Sequence, residues 1–252
     1  MSKDITVSAA IVTYNDSDCI VKACKSLLEN TKKYPLSLYV IDNASTDSTV
    51  SLCEQIDGVK VIKNSENLGF GAAHNIILSQ GIGKYHFVIN PDIEVKNDVI
   101  SDMVDFFEQN SDVCMAMPKI LNLDGSEQKL PKERPSFKRL YFGRFSHKIR
   151  NKYIWADKVL DAPTEIDFCT GCFFGIRGDI FTRLCGFDQR FFMYLEDADL
   201  TLRAKRKGKV LMCPQFAVTH AWHRDSAKSI KYLFIHVISS FKFLLKWRGK
   251  KI

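Results

Sequence analysis

The chain has 252 residues, a length that fits one large α/β domain or two small ones. Its 46% hydrophobic and 26% charged residues are typical of a well-cored globular protein and argue against a disordered or fibrous class. No run of about eighteen uncharged apolar residues occurs, so we expect no membrane-spanning helix. The eight cysteines are scattered and no secretory signal precedes the first apolar segment, which indicates a reducing cytoplasm.

Basic residues exceed acidic ones by 36 to 29, and the excess is concentrated in two segments. Residues 128–158 hold ten basic and two acidic side chains, and residues 224–252 hold eight basic and one acidic. Two basic patches on an acidic body indicate surfaces that meet lipid head groups or phosphates. The aromatic residues interleaved in the first segment also fit stacking on a single-stranded nucleic acid, or simply a solvated insertion with a small core of its own.

Strands and helices alternate through the first half of the predicted structure. Apolar, β-branched runs predict strands at 5–12, 36–41, 59–62 and 85–89, with helices at about 20–30 and 48–56. This order predicts an α/β fold with a right-handed, mostly parallel sheet and helices on both faces. Further along we expect a helix at 98–109, strands at 113–117, 165–176 and 209–213, and a short helix at 179–184.

Polar side chains follow the first two predicted strands. The first ends in Thr13, Tyr14 and Asn15, and the second in Asp42 and Asn43. Ligands of parallel sheets bind beyond the carboxyl ends of the strands, and an aspartate in this place suits a hydrogen bond to a ribose or a base. Capping of the following helices is the competing explanation.

A glycine turn follows the third predicted strand and opens a helical pattern. It contains Asn67, Gly69 and Gly71. Glycine permits a close backbone approach, and the amides of a helix N-terminus can meet a diphosphate. The turn is not the dinucleotide-binding fingerprint, because that motif follows the first strand and has a further glycine.

Candidate cation ligands occur in two places. The fourth predicted strand ends in Asn90-Pro-Asp92, which places a carboxylate suited to a hard divalent ion at the tip of a central strand. Far along the chain, a histidine of the pair His220 and His223 could complete the metal shell. Arg224 and Lys228 follow it and could hold a diphosphate.

Three carboxylates, Glu196, Asp197 and Asp199, stand directly behind the aromatic run 187–195. A helical pattern follows them, so they lie where the helix dipole favours an ionised carboxylate. Plain helix capping, with Asp199 paired to Arg203, is one explanation. Acids behind a buried aromatic run indicate instead a carboxylate at the floor of a pocket, which suits a general base.

Five ordered motifs resemble those of family 2 glycosyltransferases, which are inverting enzymes of the GT-A fold. They are Thr13-Tyr-Asn15, Val40-Ile-Asp42-Asn43-x-Ser45-x-Asp47, Asn67-x-Gly69-Phe-Gly71, Asn90-Pro-Asp92, and Gly186-Phe-Asp188 followed by Glu196-Asp197-x-Asp199-Leu200. The resemblance extends over about residues 5–226. Its character is that of bacterial rhamnosyltransferases of O-antigen and cell-wall polysaccharide assembly.

The resemblance implies roles for these residues. Asp197 would be the catalytic base, and Asp92 with His220 would hold Mg²⁺ or Mn²⁺ on the donor diphosphate, although Asn90 replaces the first acid of the family's D-x-D motif. The remaining roles implied are nucleotide binding for Thr13, Tyr14, Asn15, Asp42, Asn43, Asn67, Gly69 and Asn90, diphosphate binding for Arg224 and Lys228, and acceptor binding for Glu196, Gly171 and Trp222. The Q-x-x-R-W motif of processive members is absent from the sequence, which indicates an enzyme that adds one sugar or few.

The resemblance also implies a domain plan. Residues 1–226 would form the glycosyltransferase domain, with a nucleotide-binding half at 1–117 and an acceptor half at 118–226. Residues 227–252 have the periodicity of a basic amphipathic helix whose apolar face and Trp247 resemble an in-plane membrane anchor. Packing of this helix on the body or on a second subunit, as in a homodimer, is the alternative.

We therefore expect a cytoplasmic enzyme at the inner face of the membrane that moves rhamnose from dTDP-rhamnose to a hydroxyl of a lipid-linked glycan. A UDP-hexose or N-acetylhexosamine donor is the nearest alternative. A catalytically silent nucleotide-sugar-binding module is another. A nucleic-acid binder would leave Asp42, Asp92 and Asp197 without a purpose, so we expect no nucleic-acid partner.

Overall fold

The computed structural model describes residues 6–143, 145–221 and 230–250. Its strands are β1 (Val7–Thr13), β2 (Leu36–Asp42), β3 (Val59–Lys63), β4 (Tyr85–Ile89), β5 (Ile93–Glu94), β6 (Val113–Leu121), β7 (Thr164–Glu165), β8 (Phe173–Arg177) and β9 (Lys209–His220). Its α-helices are α1 (Ile20–Asn30), α2 (Thr49–Cys53), α3 (Phe70–His74), α4 (Val99–Gln109), α5 (His147–Ile154), α6 (Gly178–Arg183), α7 (Glu196–Ala204) and α8 (Ile230–Trp247). A 3₁₀ turn at Asn75–Ser79 and a π-helical turn at Lys138–Phe142 complete the described helices.

The described strands form one mixed sheet in the order β3-β2-β1-β4-β8-β6-β9-β5, with β7 paired to β9. Strands β3, β2, β1 and β4 are parallel, which confirms the α/β fold predicted for the first half. The second half is not mostly parallel as predicted, because β8 lies antiparallel between β4 and β6. The segment that joins β6 to β8 contains α5 and then β7, so it is not a single helical crossover and β8 can run opposite to β6.

The two central strands confirm the prediction from their apolar runs. All seven residues of β1 and all five of β4 are buried. A strand covered on both faces has no reason to alternate apolar and polar residues, and these two do not. The polar ends of these strands therefore stand at the rim of a rigid core.

The predicted strand at 165–176 is interrupted in the structure. Only its ends pair, as β7 and β8, and the segment between them bonds to side chains of α7. Cys169 N–H donates to Thr201 Oγ1 at 3.0 Å and Gly171 N–H donates to Asp197 Oδ2 at 2.9 Å. These bonds replace a strand ladder, since each backbone amide needs a partner once it is buried.

Helix α8 contacts the body through a face that the sequence did not single out. Ser239, Phe243 and Trp247 are its buried residues, at a spacing of four along the helix. Trp247 is therefore a core residue and not the interfacial anchor that we predicted. The predicted apolar face, including Phe234 and Phe241, is exposed. In the described part of the chain, no helix is long and apolar enough to cross a membrane.

Candidate functional site

The loops after β1 and β2 are tied together at the carboxyl edge of the sheet. Asn43 N–H donates to the carbonyl of Thr13 at 2.9 Å. Asn15 N–H donates to Ser45 Oγ at 2.9 Å, and Asn15 Oδ1 accepts from Thr46 N–H at 2.8 Å. The predicted nucleotide residues of the two strands thus form one surface. Beside them Tyr14 is 45% exposed.

The glycine turn is attached to this surface by Asn43. The Asn43 carboxamide donates to the carbonyl of Gly69 at 3.0 Å and accepts from Asn64 Nδ2 at 3.0 Å. Because protein groups engage both ends of this amide, Asn43 shapes the pocket wall from within. Asn67 Oδ1 accepts from Gly69 N–H at 2.9 Å. Asp42 is buried nearby and accepts from the Ser45 amide at 3.1 Å.

Gly69 must be glycine at this position. Its φ is +82°, and an added Cβ would lie 2.1 Å from the carbonyl oxygen of Phe192. That carbonyl accepts from Phe70 N–H at 2.9 Å, so the start of α3 is bonded directly to the segment 187–195 that precedes α7. The predicted nucleotide turn and the predicted catalytic segment are therefore in contact.

Asp92 and His220, the two metal ligands that the resemblance implies, lie next to each other. Antiparallel pairing of β5 with β9 places His220 opposite Ile93, and Asp92 Oδ1 lies 3.1 Å from His220 Nε2. Asn90, which we predicted in the nucleotide site, lies beside this pair with its Nδ2 3.5 Å from the same ring nitrogen.

Gln128 fixes which nitrogen of His220 carries the proton, and sequence reasoning missed this residue. Gln128 Nε2 donates to the His220 carbonyl at 2.8 Å, so Gln128 Oε1 is the atom facing His220 Nδ1 at 3.0 Å. Nδ1 must then donate, and the neutral ring presents its Nε2 lone pair to the Asp92 carboxylate. Two lone pairs at 3.1 Å repel unless a proton or a metal cation lies between them.

The Asp92–His220 pair fits a divalent cation whose remaining coordination positions are filled by a bound substrate and water. Two donors about 2.1 Å from an octahedral ion lie about 3.0 Å apart, close to the 3.1 Å between Asp92 Oδ1 and His220 Nε2. Within the described ranges, no group of three or more His, Cys, Asp or Glu residues could hold a metal by itself. Mg²⁺-type sites commonly use one or two protein ligands together with substrate phosphates and water.

Asp197 lies in the first turn of α7 with both carboxylate oxygens held by backbone amides. Oδ2 accepts from Gly171 N–H at 2.9 Å and Oδ1 from Ala198 N–H at 2.8 Å. Burial raises the pKa of Asp197 to about 6, against the lowering effect of these hydrogen bonds. A carboxylate with a pKa near neutrality, fixed in orientation, is suited to take a proton.

Glu196 is buried next to it and has a different environment. Burial, and then the neighbouring charge of Asp197, raise the pKa of Glu196 well above its usual value, which favours the protonated carboxyl. Its Oε2 has no hydrogen-bond partner among the described residues. A buried polar atom without a partner is costly to keep unless a ligand satisfies it.

The chain enters α7 through strained backbone. Tyr194 and Leu195 both have positive φ, of 70° and 67°, in a region that bulky residues avoid. Contacts from helix α8 hold this backbone in place. Ser239 Oγ donates to the carbonyl of Met193 at 2.7 Å, and the ring centroids of His236 and Tyr194 lie 5.3 Å apart. Strain of this kind persists at functional sites where the surroundings over-determine it.

Two consecutive residues, Gly171 and Cys172, link Asp197 to the strand end that carries Asn90 and Asp92. Gly171 donates to Asp197, and the carbonyl of the next residue, Cys172, accepts from Asn90 N–H at 2.8 Å. An added Cβ on Gly171 would lie 3.2 Å from the Phe70 ring and 3.5 Å from Asp197 Cβ, so a glycine allows this close passage. The surface formed by the loops after β1 and β2 (the strand-end surface), the Asp92–His220 pair and Asp197 therefore form one site.

Asp199 is structural. It is 0% exposed and accepts from Arg203 Nε at 2.8 Å, which confirms the predicted pair. It also accepts from Trp247 Nε1 at 2.8 Å and Lys246 Nζ at 2.6 Å on α8. The sequence does contain a signal for these partners: Ser239, Phe243 and Trp247 recur at a spacing of four on α8. The longer apolar face of the same helix obscured this pattern. Three further predicted residues, Trp222, Arg224 and Lys228, lie outside the described residues.

Comparison with known proteins identifies relatives along most of the chain. The family model of glycosyl transferase family 2 matches residues 8–184. Rhamnosyltransferase WbbL of Escherichia coli K12 is 29% identical over 94% of this chain and 92% of its own length. The N-acetylglucosaminyl-diphospho-decaprenol L-rhamnosyltransferase of Mycobacterium tuberculosis is 26% identical over 92% of this chain and 82% of its own. The family match ends before α7, so geometry carries the assignment of the acids.

Solved structures share the fold. A mannosyltransferase from Pyrobaculum calidifontis in complex with GDP-Man and Mn²⁺ has a TM-score of 0.68 at 18% identity, over 98% of this chain and 66% of that one. GalNAc-T7 with UDP, GalNAc and Mn²⁺ has a TM-score of 0.70 at 17% identity, and this chain spans 48% of its length. These matches confirm the predicted GT-A architecture.

Proposed function

This chain belongs to glycosyl transferase family 2, and from that membership we propose that it is an inverting, non-processive rhamnosyltransferase. The donor proposed is dTDP-rhamnose, and the acceptor is a sugar hydroxyl on a lipid-linked diphosphate. The rhamnosyltransferase names of two relatives that match almost the whole chain support the donor. The decaprenol-linked acceptor in the mycobacterial relative's name supports the acceptor.

One observation carries the proposal: the buried base candidate Asp197 and the Asp92–His220 pair lie on either side of the Gly171-Cys172 link. Asp197 takes the proton of the acceptor hydroxyl while the oxygen of that hydroxyl attacks the anomeric carbon of the donor. The bond from that carbon to the diphosphate oxygen breaks on the opposite face, and the nucleoside diphosphate leaves. This displacement inverts the anomeric configuration.

The other residues bind and orient the substrates. Tyr14, Asn15 and Asp42 border the place for the nucleotide at the strand ends, and Glu196 in its protonated form can donate its orphan hydrogen bond to a sugar hydroxyl. Asp92 and His220 would hold Mg²⁺ or Mn²⁺, which would neutralise charge on the diphosphate.

The proposed place of action is the cytoplasmic face of the membrane, with α8 against the lipid. The exposed apolar and basic residues of α8 support this location. Solved neighbours that bind UDP or GDP-Man favour one alternative, a UDP-hexose or similar donor in the same site. No nucleic-acid partner is proposed.

A thermal-shift panel of dTDP-, UDP- and GDP-sugars, with and without Mn²⁺, tests the donor and the cation. We expect dTDP-rhamnose to raise the melting temperature only when Mn²⁺ is present, because a ligand of the native state stabilises it by mass action. Stabilisation by UDP-sugars alone would replace the proposed donor. Stabilisation without metal would remove the cation from the proposal, and no response to any sugar nucleotide would contradict it.

A further inference from the structure

A groove of about 900 Å³ lies between α8 and a segment formed by residues 134–143 and 145, away from the strand-end surface. Leu233, Val237 and Phe241 form one wall, and Phe137 and Tyr141 form the other. Ligand-binding clefts reach about this size and are lined mostly by apolar and aromatic side chains. Among the described residues, eleven of the fifteen large apolar side chains that are exposed belong to these two segments. A soluble monomer seldom leaves so many together, which marks a binding surface.

The surroundings of the groove are basic. Residues 230–250 contain five Lys and Arg and no acid. Arg134, Arg139 and Arg248 line the groove itself. Arg134 donates to the carbonyls of Trp247 and Lys250 at 2.8 and 3.0 Å and so holds the end of α8 against this segment. The occupant that complements this surface has an apolar chain and an anionic end.

The floor of the groove is also the support of the catalytic helix. Phe243 and Trp247 line the groove and pack in one cluster with Ala198 and Leu202 of α7. Leu140, from the other wall, packs against the same cluster. Ala198 follows Asp197 directly, so the floor of the groove packs against the helix that carries the base candidate.

We propose that this groove binds the isoprenoid chain of a lipid-linked diphosphate acceptor and so directs its sugar toward Asp197. This inference rests on the proposed function, which supplies the acceptor class. A concave trough with two apolar walls fits a single slender chain. The flat outer side of α8, which carries Phe234 and Ile238 outside the groove, is the part that a bilayer could contact.

Two neighbouring residues of α8 provide a matched pair of variants. Val237 lines the groove and is 55% exposed, whereas Ile238 lies outside it and is 49% exposed. Val237→Asp and Ile238→Asp therefore make the same chemical change at similar exposure on the same helix. The probe is radiolabelled farnesyl diphosphate without sugar or vesicles, with inorganic diphosphate as the chain-free reference, in equilibrium dialysis against the full chain.

We expect saturable binding of farnesyl diphosphate that inorganic diphosphate does not match. Val237→Asp should raise the Kd by about tenfold or more, because a charge enters an apolar site, and Ile238→Asp should leave it within about twofold. Absence of saturable binding, or equal effects of the two variants, would overturn the proposal. If both variants lost binding to phosphatidylglycerol vesicles equally and still bound farnesyl diphosphate like the wild type, the exposed face of α8 would be assigned to the bilayer. Loss of a dimer in Val237→Asp alone, again with unchanged binding, would assign it to a second copy.

A kinetic comparison separates this proposal from the proposed function. Val237→Asp should raise the KM for a lipid-linked acceptor and leave the KM for a chain-free sugar acceptor unchanged. Farnesyl diphosphate binding in the groove without transfer of any sugar would refute the proposed function alone. Normal transfer by Val237→Asp to the lipid-linked acceptor at wild-type KM would refute the groove alone.

Discussion

The two sides of the site hold their polar groups in different ways. On the nucleotide side, Asp42, Asn43 and Asn15 are fixed by neighbours in the loops that follow β1 and β2. On the acceptor side, Asp197 and Asp199 are held by groups outside α7, namely Gly171 in the interrupted strand and Trp247 on α8. The nucleotide side therefore depends on the ends of rigid strands, whereas the acceptor side depends on α7, α8 and the interrupted strand remaining packed together.

Replacement of the proposed base, Asp197, has the largest expected effect. Asp197→Asn should lower kcat by about 10²–10⁴-fold, since it removes the group that accepts the acceptor proton. Stabilisation by the donor in a thermal-shift assay should be unchanged, because the nucleotide side is untouched. Asp98→Asn, at the N-cap of α4, is the matched control and should retain its activity. Near-normal turnover by Asp197→Asn would show that another group is the base.

Asp199 tests the dependence of the acceptor side on α8. Asp199→Ala should lower the free energy of unfolding by about 3–5 kcal/mol, because it leaves Lys246 and Arg203 without their buried partner. On the nucleotide side, Asp47→Ala removes one exposed loop carboxylate, which accepts from Thr49 and Ser17, and should cost about 1 kcal/mol. Urea unfolding measures both. Equal losses would contradict the contrast between the two sides.

Gln128 tests the orientation of His220. Gln128→Leu should weaken Mn²⁺ binding about 10–100-fold, because the imidazole loses the partner that fixes its tautomer. Gln189→Leu makes the same change at an exposed position and should have no effect. Titration of Mn²⁺ in the presence of the donor provides the measurement. Unchanged affinity in Gln128→Leu would mean that this contact does not prepare the cation site.

The pH dependence has the smallest expected effect. With a pKa of about 6, Asp197 becomes protonated below that pH, and kcat/KM should fall about tenfold per pH unit there. The folded pKa lies above the unfolded value, so protonation favours the native state. The cost of burying this charge is therefore fully present above pH 6, shrinks as the pH falls from 6 toward the ordinary value of 3.8, and is gone below it. A pH–rate profile that is flat from pH 7 to about 5 would contradict a base with this pKa.

The same contrast explains how much the sequence could predict. Continuous apolar runs predicted β1 and β4, and the polar residues that end β1 and β2 predicted the strand-end surface. Period and turn chemistry are local, so one sequence is sufficient to read them. The tautomer of His220 depends on Gln128, ninety-two residues away in the chain. The antiparallel entry of β8 and the buried face of α8 likewise arise from packing between distant segments, which no local pattern records.

The most direct test of the account is a transfer reaction with dTDP-rhamnose and an N-acetylglucosaminyl diphosphate lipid, with the product analysed by NMR. It requires that the nucleotide side and the acceptor side act as one site. We predict a single rhamnose added per acceptor, with anomeric configuration opposite to that of the donor. Transfer with retained configuration would contradict direct displacement assisted by Asp197, and absence of rhamnose transfer with this pair of substrates would contradict the proposed donor and acceptor.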